Sequence, residues 1–306
     1  MRLSLALALL TLTAAATPQL YSYRQVRERV FKDPLTTPPP VETPEELGIL
    51  KALLSGGLNA RFAGTFADAS DFKDPARKLI HRPGICADGT WRIDVENPAT
   101  GLLAVGTEVP AILRFGVGTN HVARPARGGR TFGLAVKLFP TQDPDQPVAT
   151  RNLFIFDQYG LDGHARDHVL TPDEGGEPIV LSNHTPANTL QSKLVSELVL
   201  ARFDKTPLSR PLYPLTEVDA QGRPVSWPHT PDVIQLVPQK VRPRPLPPDF
   251  REELRSYAPD ELVFDVVLPR QALVVERIRI GTLTVHHWVL SETCDGALHF
   301  HHHPTR

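Results

Sequence analysis

The sequence predicts an α+β protein, an antiparallel β-barrel of about eight strands with flanking helices. Three observations carry that expectation. Runs rich in β-branched and aromatic residues recur at IHRPGI, TWRIDV, VPAILRF, FGLAVKLF and NLFIFD, each bounded by Gly, Pro or Asn. A second set, LVFDVVLP, ALVVERIRIG and TVHHWVL, stands near the C-terminus and reads as three more strands. The chain has 306 residues, 41% of them hydrophobic, enough to bury one large core or a core with an attached lobe. A barrel of roughly eight strands has an interior that can enclose a small ligand.

In chain order, Arg2 precedes an apolar run from Leu3 to Leu12 and then TAAAT, the pattern of a secretory signal peptide cleaved near Ala16. The run is shorter than the roughly 20 residues a membrane-spanning helix needs. The expectation is therefore a secreted or periplasmic protein, with an uncleaved anchor as the alternative. Residues 1–17 are read as the signal, 18–47 as an N-terminal arm and proline-rich linker, and 48–306 as the barrel domain. Within the arm, Tyr21 to Phe31 predicts a short helix and LTTPPPVETPEE an extended connection. Thr43 and Glu46 resemble a capping box that opens a helix over GILKALLSGGL. From Arg77 the pattern turns to strands, with a turn expected at Asp88-Gly89.

PANTLQSKLVSELVLARF has Leu190, Leu194, Val195, Leu198 and Leu200 at helical spacing, so an amphipathic helix is expected there. The proline-rich tract from Thr206 to Pro248 is expected to hold neither a continuous helix nor a central strand. PPDFREELRSY predicts another helix, with proline in its first turn and acids near its start.

A formal charge of -1, from 33 basic and 34 acidic residues, gives no general attraction to phosphate and argues against nucleic acid as a partner. Cys86 and Cys294 are the two cysteines, and in an exported protein they form either one disulfide or two separate buried thiols. The tract HFHHHP, with His299, His301, His302 and His303, and the pair His286 and His287, could bind transition metals or simply be terminal and strand residues. Asn183-His184-Thr185 fits a glycosylation sequon, a triplet common by chance. There is no G-x-S-x-G, no H-E-x-x-H and no Walker loop.

The blocks RKLIHRPGICADGTW, VPAILRFGVGTN, GGRTFGLAVKLFP and TRNLFIF place His81, Arg114, Arg130, Lys137 and Asn152 along consecutive strands. In this order they resemble the heme-binding core of the catalase family, particularly its small catalase-related members. The resemblance implies a catalase-like heme-domain fold, with heme b as cofactor and hydrogen peroxide or an organic hydroperoxide as substrate. It implies His81 as the distal acid-base group and Asn152 as the amide that orients peroxide. Arg114 matches a propionate arginine, and Arg77 or Lys78 could meet a propionate too, although lysine lacks the bidentate fork. Arg130 is read either as a cofactor contact or as surface charge, and Lys137 as a structural ion-pair member.

The resemblance points to Tyr213 as the axial ligand of the heme iron, in PLSRPLYPLTEVDAQG. The family carries this tyrosine on a helix with an arginine four residues earlier. Here Arg210 is three residues earlier, and Pro211 and Pro214 bracket the tyrosine. Two expectations follow: a heme-dependent oxidoreductase that decomposes or reduces peroxides, or a catalase-shaped barrel without heme that serves as a small-ligand-binding or scaffold protein.

Overall fold

A computed structural model describes residues 20–39, 72, 83–117, 132–156, 169–170, 179–182, 206–208, 211–214, 216–218, 234–242, 246–270 and 276–300. The chain opens with helix α1 (Tyr23–Phe31), started by a capping box. The Ser22 hydroxyl accepts from the Gln25 N–H at 3.2 Å, and the Gln25 side chain accepts from the Ser22 N–H at 2.9 Å. Then come β1 (Gly84–Ile93), β2 (Glu108–Val117), β3 (Phe132–Leu138) and β4 (Arg151–Phe156). Short strands β5 (Val169–Leu170), β6 (Ile179–Ser182), β7 (Tyr213–Pro214), β8 (Thr216–Val218) and β9 (Gln235–Pro238) follow. Helix α2 (Phe250–Arg255), β10 (Val263–Arg270) and β11 (Glu276–Val289) come next, a short 3-10 turn (Gly101–Leu103) precedes β2, and a π-helical segment (Thr293–Ala297) follows β11.

Eight of these strands form one sheet in the order β7-β4-β3-β2-β1-β11-β10-β9, and every pairing in it is antiparallel. Its two outer strands meet through a bridge between Leu212 and Leu236, whose N–H groups donate to each other's carbonyls at 2.8 and 2.9 Å. That bridge brings the two ends of the sheet together, so the sheet curls into a barrel-like arrangement. β5, β6 and β8 make a separate three-stranded sheet.

Alternation along each strand sorts the side chains. Ile85, Ala87, Leu113, Phe115, Leu134, Val136, Leu153, Ile155, Leu236, Phe264 and Leu283 share one buried cluster, the packed interior of the barrel. Phe115 and Phe264 stack across it with centroids 6.1 Å apart. Helix α2 adds Phe250, which packs edge-on against Phe132, and Leu254. Asp249 caps it, its carboxylate accepting from the Arg251 N–H. The prolines at 247 and 248 therefore precede the cap instead of lying in the first turn. Helix α1 packs on the outside, where Val26 and Val30 join Cys86, Ile112, Phe139, Cys294 and Phe300 in a second cluster. Among the described residues no helix is long and apolar enough to cross a membrane.

Two expectations are corrected. Asp88 and Gly89 form no turn, because β1 runs straight through them. The Asp88 carboxylate is satisfied from outside by Arg27 and by the His287 N–H, and Gly89 allows a close strand approach, since a Cβ there would lie 2.4 Å from the Thr284 carbonyl. ALVVERIRIG and TVHHWVL do not make two strands. From Glu276 they are one strand of 14 residues, continuous through Gly281, where a Cβ would fall 2.0 Å from the Arg92 carbonyl. The proline-rich tract agrees with its expectation, since its strands β7, β8 and β9 all stand at the ends of their sheets and none is central. Its Pro238 sits at the end of β9, where loss of an N–H is tolerated. The helices expected after Thr43 and over residues 187–202 lie outside the described residues.

Candidate functional site

The outer face of β1–β4 gathers much of what the sequence singled out. Register places Cys86, Arg114 and Ala135 in one cross-strand row and Asp88, Ile112, Lys137 and Asn152 in the next. These positions are out of phase with the barrel interior, so Arg114, Lys137 and Asn152 share the face covered by α1 and the C-terminal segment. All three are buried.

Arg114 is 6% exposed, and its seat is specific. Its Nε–H donates to the Cys294 carbonyl at 3.2 Å and its Nη2 to Asp295 Oδ1 at 3.0 Å. Burial lowers the pKa of the guanidinium and Asp295 pushes it back up, as expected for a charge taken out of water beside a counter-ion. Gly84 makes the seat possible: a Cβ there would lie 2.5 Å from Arg114 Nη2 and 2.8 Å from the Phe115 carbonyl. The Cys86–Cys294 disulfide, with Cα atoms 5.8 Å apart, fixes the residue before Asp295 to β1. Of the two states left open for the cysteines, the disulfide is the one found.

The neighbouring row is equally enclosed. Lys137 is fully buried, its ammonium 3.4 Å from Thr150 Oγ1 and 5.4 Å from the centroid of Phe300. Asp88 accepts from Arg27 Nε at 2.5 Å and from the His287 backbone N–H at 2.8 Å. Burial, with Asp88 adding to it, pushes the Tyr23 hydroxyl up to about 12. Asp88 and Asp295 were missed by the sequence reading. Both partner cations lie far away in the chain, and no local spacing marks such pairs.

His81, Arg77, Lys78 and Arg130 fall outside the described residues, as do His301, His302 and His303. The backbone of Tyr213 is described: it lies in β7, paired with Phe156 of β4. The expected tyrosine helix or turn is thus replaced by a strand in the same sheet as Asn152. The carboxylate beside Arg114 belongs to Asp295. His81 and the Tyr213 side chain, which the resemblance assigns to the two sides of a heme, lie outside what is described. Among the described residues no group of three or more His, Cys, Asp or Glu side chains could hold a metal ion.

No protein-family model matches the chain, and no curated protein matches it. A solved structure named "Structure of a bacterial catalase" aligns at 10% identity and a TM-score of 0.40, covering 88% of this chain and 61% of that one. This chain thus spans less than two thirds of that protein's length, and at this TM-score the likeness adds nothing to the architecture that the strand pairings give.

Proposed function

We propose that this chain is a catalase-shaped barrel that works without heme, as an exported small-ligand-binding or scaffold protein whose function is carried on its surface. The observation that supports this reading best is the Arg114–Asp295 pair beneath the Cys86–Cys294 disulfide. A cation kept for a propionate would have to stay open to the incoming carboxylate. This one is enclosed with a carboxylate of its own chain, and among the described residues Phe115, Phe132, Phe264 and their neighbours pack into one buried cluster inside the sheet.

The second reading is a heme-dependent oxidoreductase acting on hydrogen peroxide or organic hydroperoxides, with His81, Asn152 and Tyr213 in the roles the resemblance assigns. It is favoured by the placement of Arg114, Lys137 and Asn152 on one buried face. Hemin titration of the purified protein, beside a Tyr213→Phe variant and with hydrogen peroxide consumption followed, separates the two. The heme-free reading expects no saturable Soret band and no turnover above free hemin. A stoichiometric high-spin band that is lost in Tyr213→Phe would overturn it.

A further inference from the structure

Among the described residues, a cluster of potentially reactive side chains lies where β1, β11 and the turn before β10 meet. Thr90 Oγ1 is 2.8 Å from His286 Nε2, and His286 Nδ1 is hydrogen-bonded to Asp260 Oδ1. A carboxylate only accepts, so in the neutral imidazole the proton sits on Nδ1 and the Nε2 lone pair accepts from the threonine hydroxyl. This is the order hydroxyl, imidazole, carboxylate that activates a nucleophile.

Two backbone features hold it. The register of β1 on β11 shifts between Asp88 and Gly89, so that Asp88 faces His287 and Gly89 faces Val285, leaving His286 as the extra residue of a β-bulge. Bulges re-aim side chains in this way. Asp260 has φ 64°, a left-handed conformation that costs energy in a residue other than glycine. It is held there by its N–H, which donates to the Val285 carbonyl at 3.0 Å, beside His286. The imidazole also borders an open recess of about 190 Å³, lined by Arg255, Tyr257, Pro259, His286, His287 and Trp288.

We propose that Thr90, His286 and Asp260 form a nucleophilic site that hydrolyses small carboxylic esters docked in this recess. Thr90 Oγ bonds to the ester carbonyl carbon as its proton passes to His286 Nε2. The C–O bond to the alcohol then breaks, and the departing oxygen takes that proton. Water adds to the acyl-threonine, giving a proton to Nε2 that returns to Thr90 Oγ as the acid leaves, so the net reaction is ester plus water to acid plus alcohol. Asp260 is a positioning residue that keeps the Nδ1–H tautomer. Trp288, Tyr257 and Pro259 suit an aromatic or apolar acyl group. Arg255 brings a cation to the recess, which suits the charge that gathers on the carbonyl oxygen. The site is independent of the heme question, because none of its residues belongs to the catalase-like blocks' assigned set.

The test uses the full mature chain with p-nitrophenyl acetate as substrate and diisopropyl fluorophosphate as a covalent probe, the adduct being located by peptide mass spectrometry. The hydroxyl displaces fluoride, and its proton leaves through His286. The expected result is an adduct at position 90 in the wild type and in Thr90→Ser. Labelling and hydrolysis should fall at least ~100-fold in Thr90→Ala and His286→Gln. Asp260→Asn should lower kcat with KM unchanged, since Asp260 does not touch the ester. Unmodified wild type, an adduct elsewhere, or labelling of His286→Gln at the wild-type rate would overturn the proposal. Near-ultraviolet circular dichroism of each variant, with retained labelling of Thr90→Ser, separates loss of chemistry from loss of fold.

Discussion

At the scale of single residues, Arg114 shows what alternation along a strand reveals and what it leaves hidden. Its strand and its face follow from alternation in VPAILRF, and both are legible in the sequence. Its partner is not, because Asp295 lies 181 residues away and only the closed fold brings it near. The pair should behave as a buried one: Arg114→Leu, which strands the carboxylate, is expected to lower stability by about 3–5 kcal/mol in urea unfolding. Replacing Arg114 and Asp295 together by apolar residues should cost much less. A coupling near zero between the two sites would contradict the pairing.

Tyr23 gives the pH dependence at this scale. Its folded-state pKa, about 12, lies above the ordinary 10.0, chiefly through burial and then through Asp88. Between these values the folded state holds a proton that the unfolded chain has lost. Stability from this group is therefore complete below pH 10 and falls as pH rises toward about 12. Tyr23→Phe should flatten the alkaline limb of the stability curve, and an unchanged limb would refute the assignment.

At the scale of elements, the apolar alternation of β2, β3 and β4 and the capped start of α1 could be read directly. The errors came where local chemistry mimicked a turn. Asp-Gly is a strong turn signal, but Asp88 finds Arg27 and His287, and Gly89 serves a close strand crossing, so tertiary contacts override it. Gly281 shows the same substitution of purpose, being a crossing point inside β11 where a strand break was expected. Gly281→Ala would force the β1–β11 contact apart and should cost roughly 3 kcal/mol or more, near the upper end for overpacking, with loss of native-state hydrogen-exchange protection in β11. The disulfide ties β1 to the C-terminal segment across a separation of 208 residues. Its replacement by Cys86→Ser with Cys294→Ser should cost about 2–5 kcal/mol and release residues 291–300 to proteolysis before the rest of the fold. Simultaneous cleavage throughout the chain would contradict that order.

At the scale of the whole molecule, about eight antiparallel strands were expected and eight are paired in one sheet, whose ends meet through Leu212 and Leu236. The number agrees although two pairs of expected runs each form one strand, β1 and β11, because β7 and β9 make up the difference. The meeting of the sheet's ends was not legible, since it depends on β7 and β9, two- and four-residue strands in a proline-rich tract whose composition argues only against a central strand. The three-stranded sheet of β5, β6 and β8 was likewise invisible, its strands being only two to four residues long. The same tract carries Tyr213, whose backbone lies in a two-residue strand instead of the helix or turn expected there. The residues that would complete a peroxide site and those that seal the face are separated by large stretches of chain, and local motifs speak only for the former.

The central claim, a catalase-shaped barrel that works without heme, is tested most directly by the heme content per chain of the mature protein purified from cells supplied with excess heme, read by the pyridine hemochrome spectrum. Substoichiometric heme, washed out on size exclusion and unchanged in Tyr213→Phe and Asp295→Asn, is the result expected. One tightly held heme per chain, lost on Tyr213→Phe, would contradict the account and give the barrel back to peroxide chemistry.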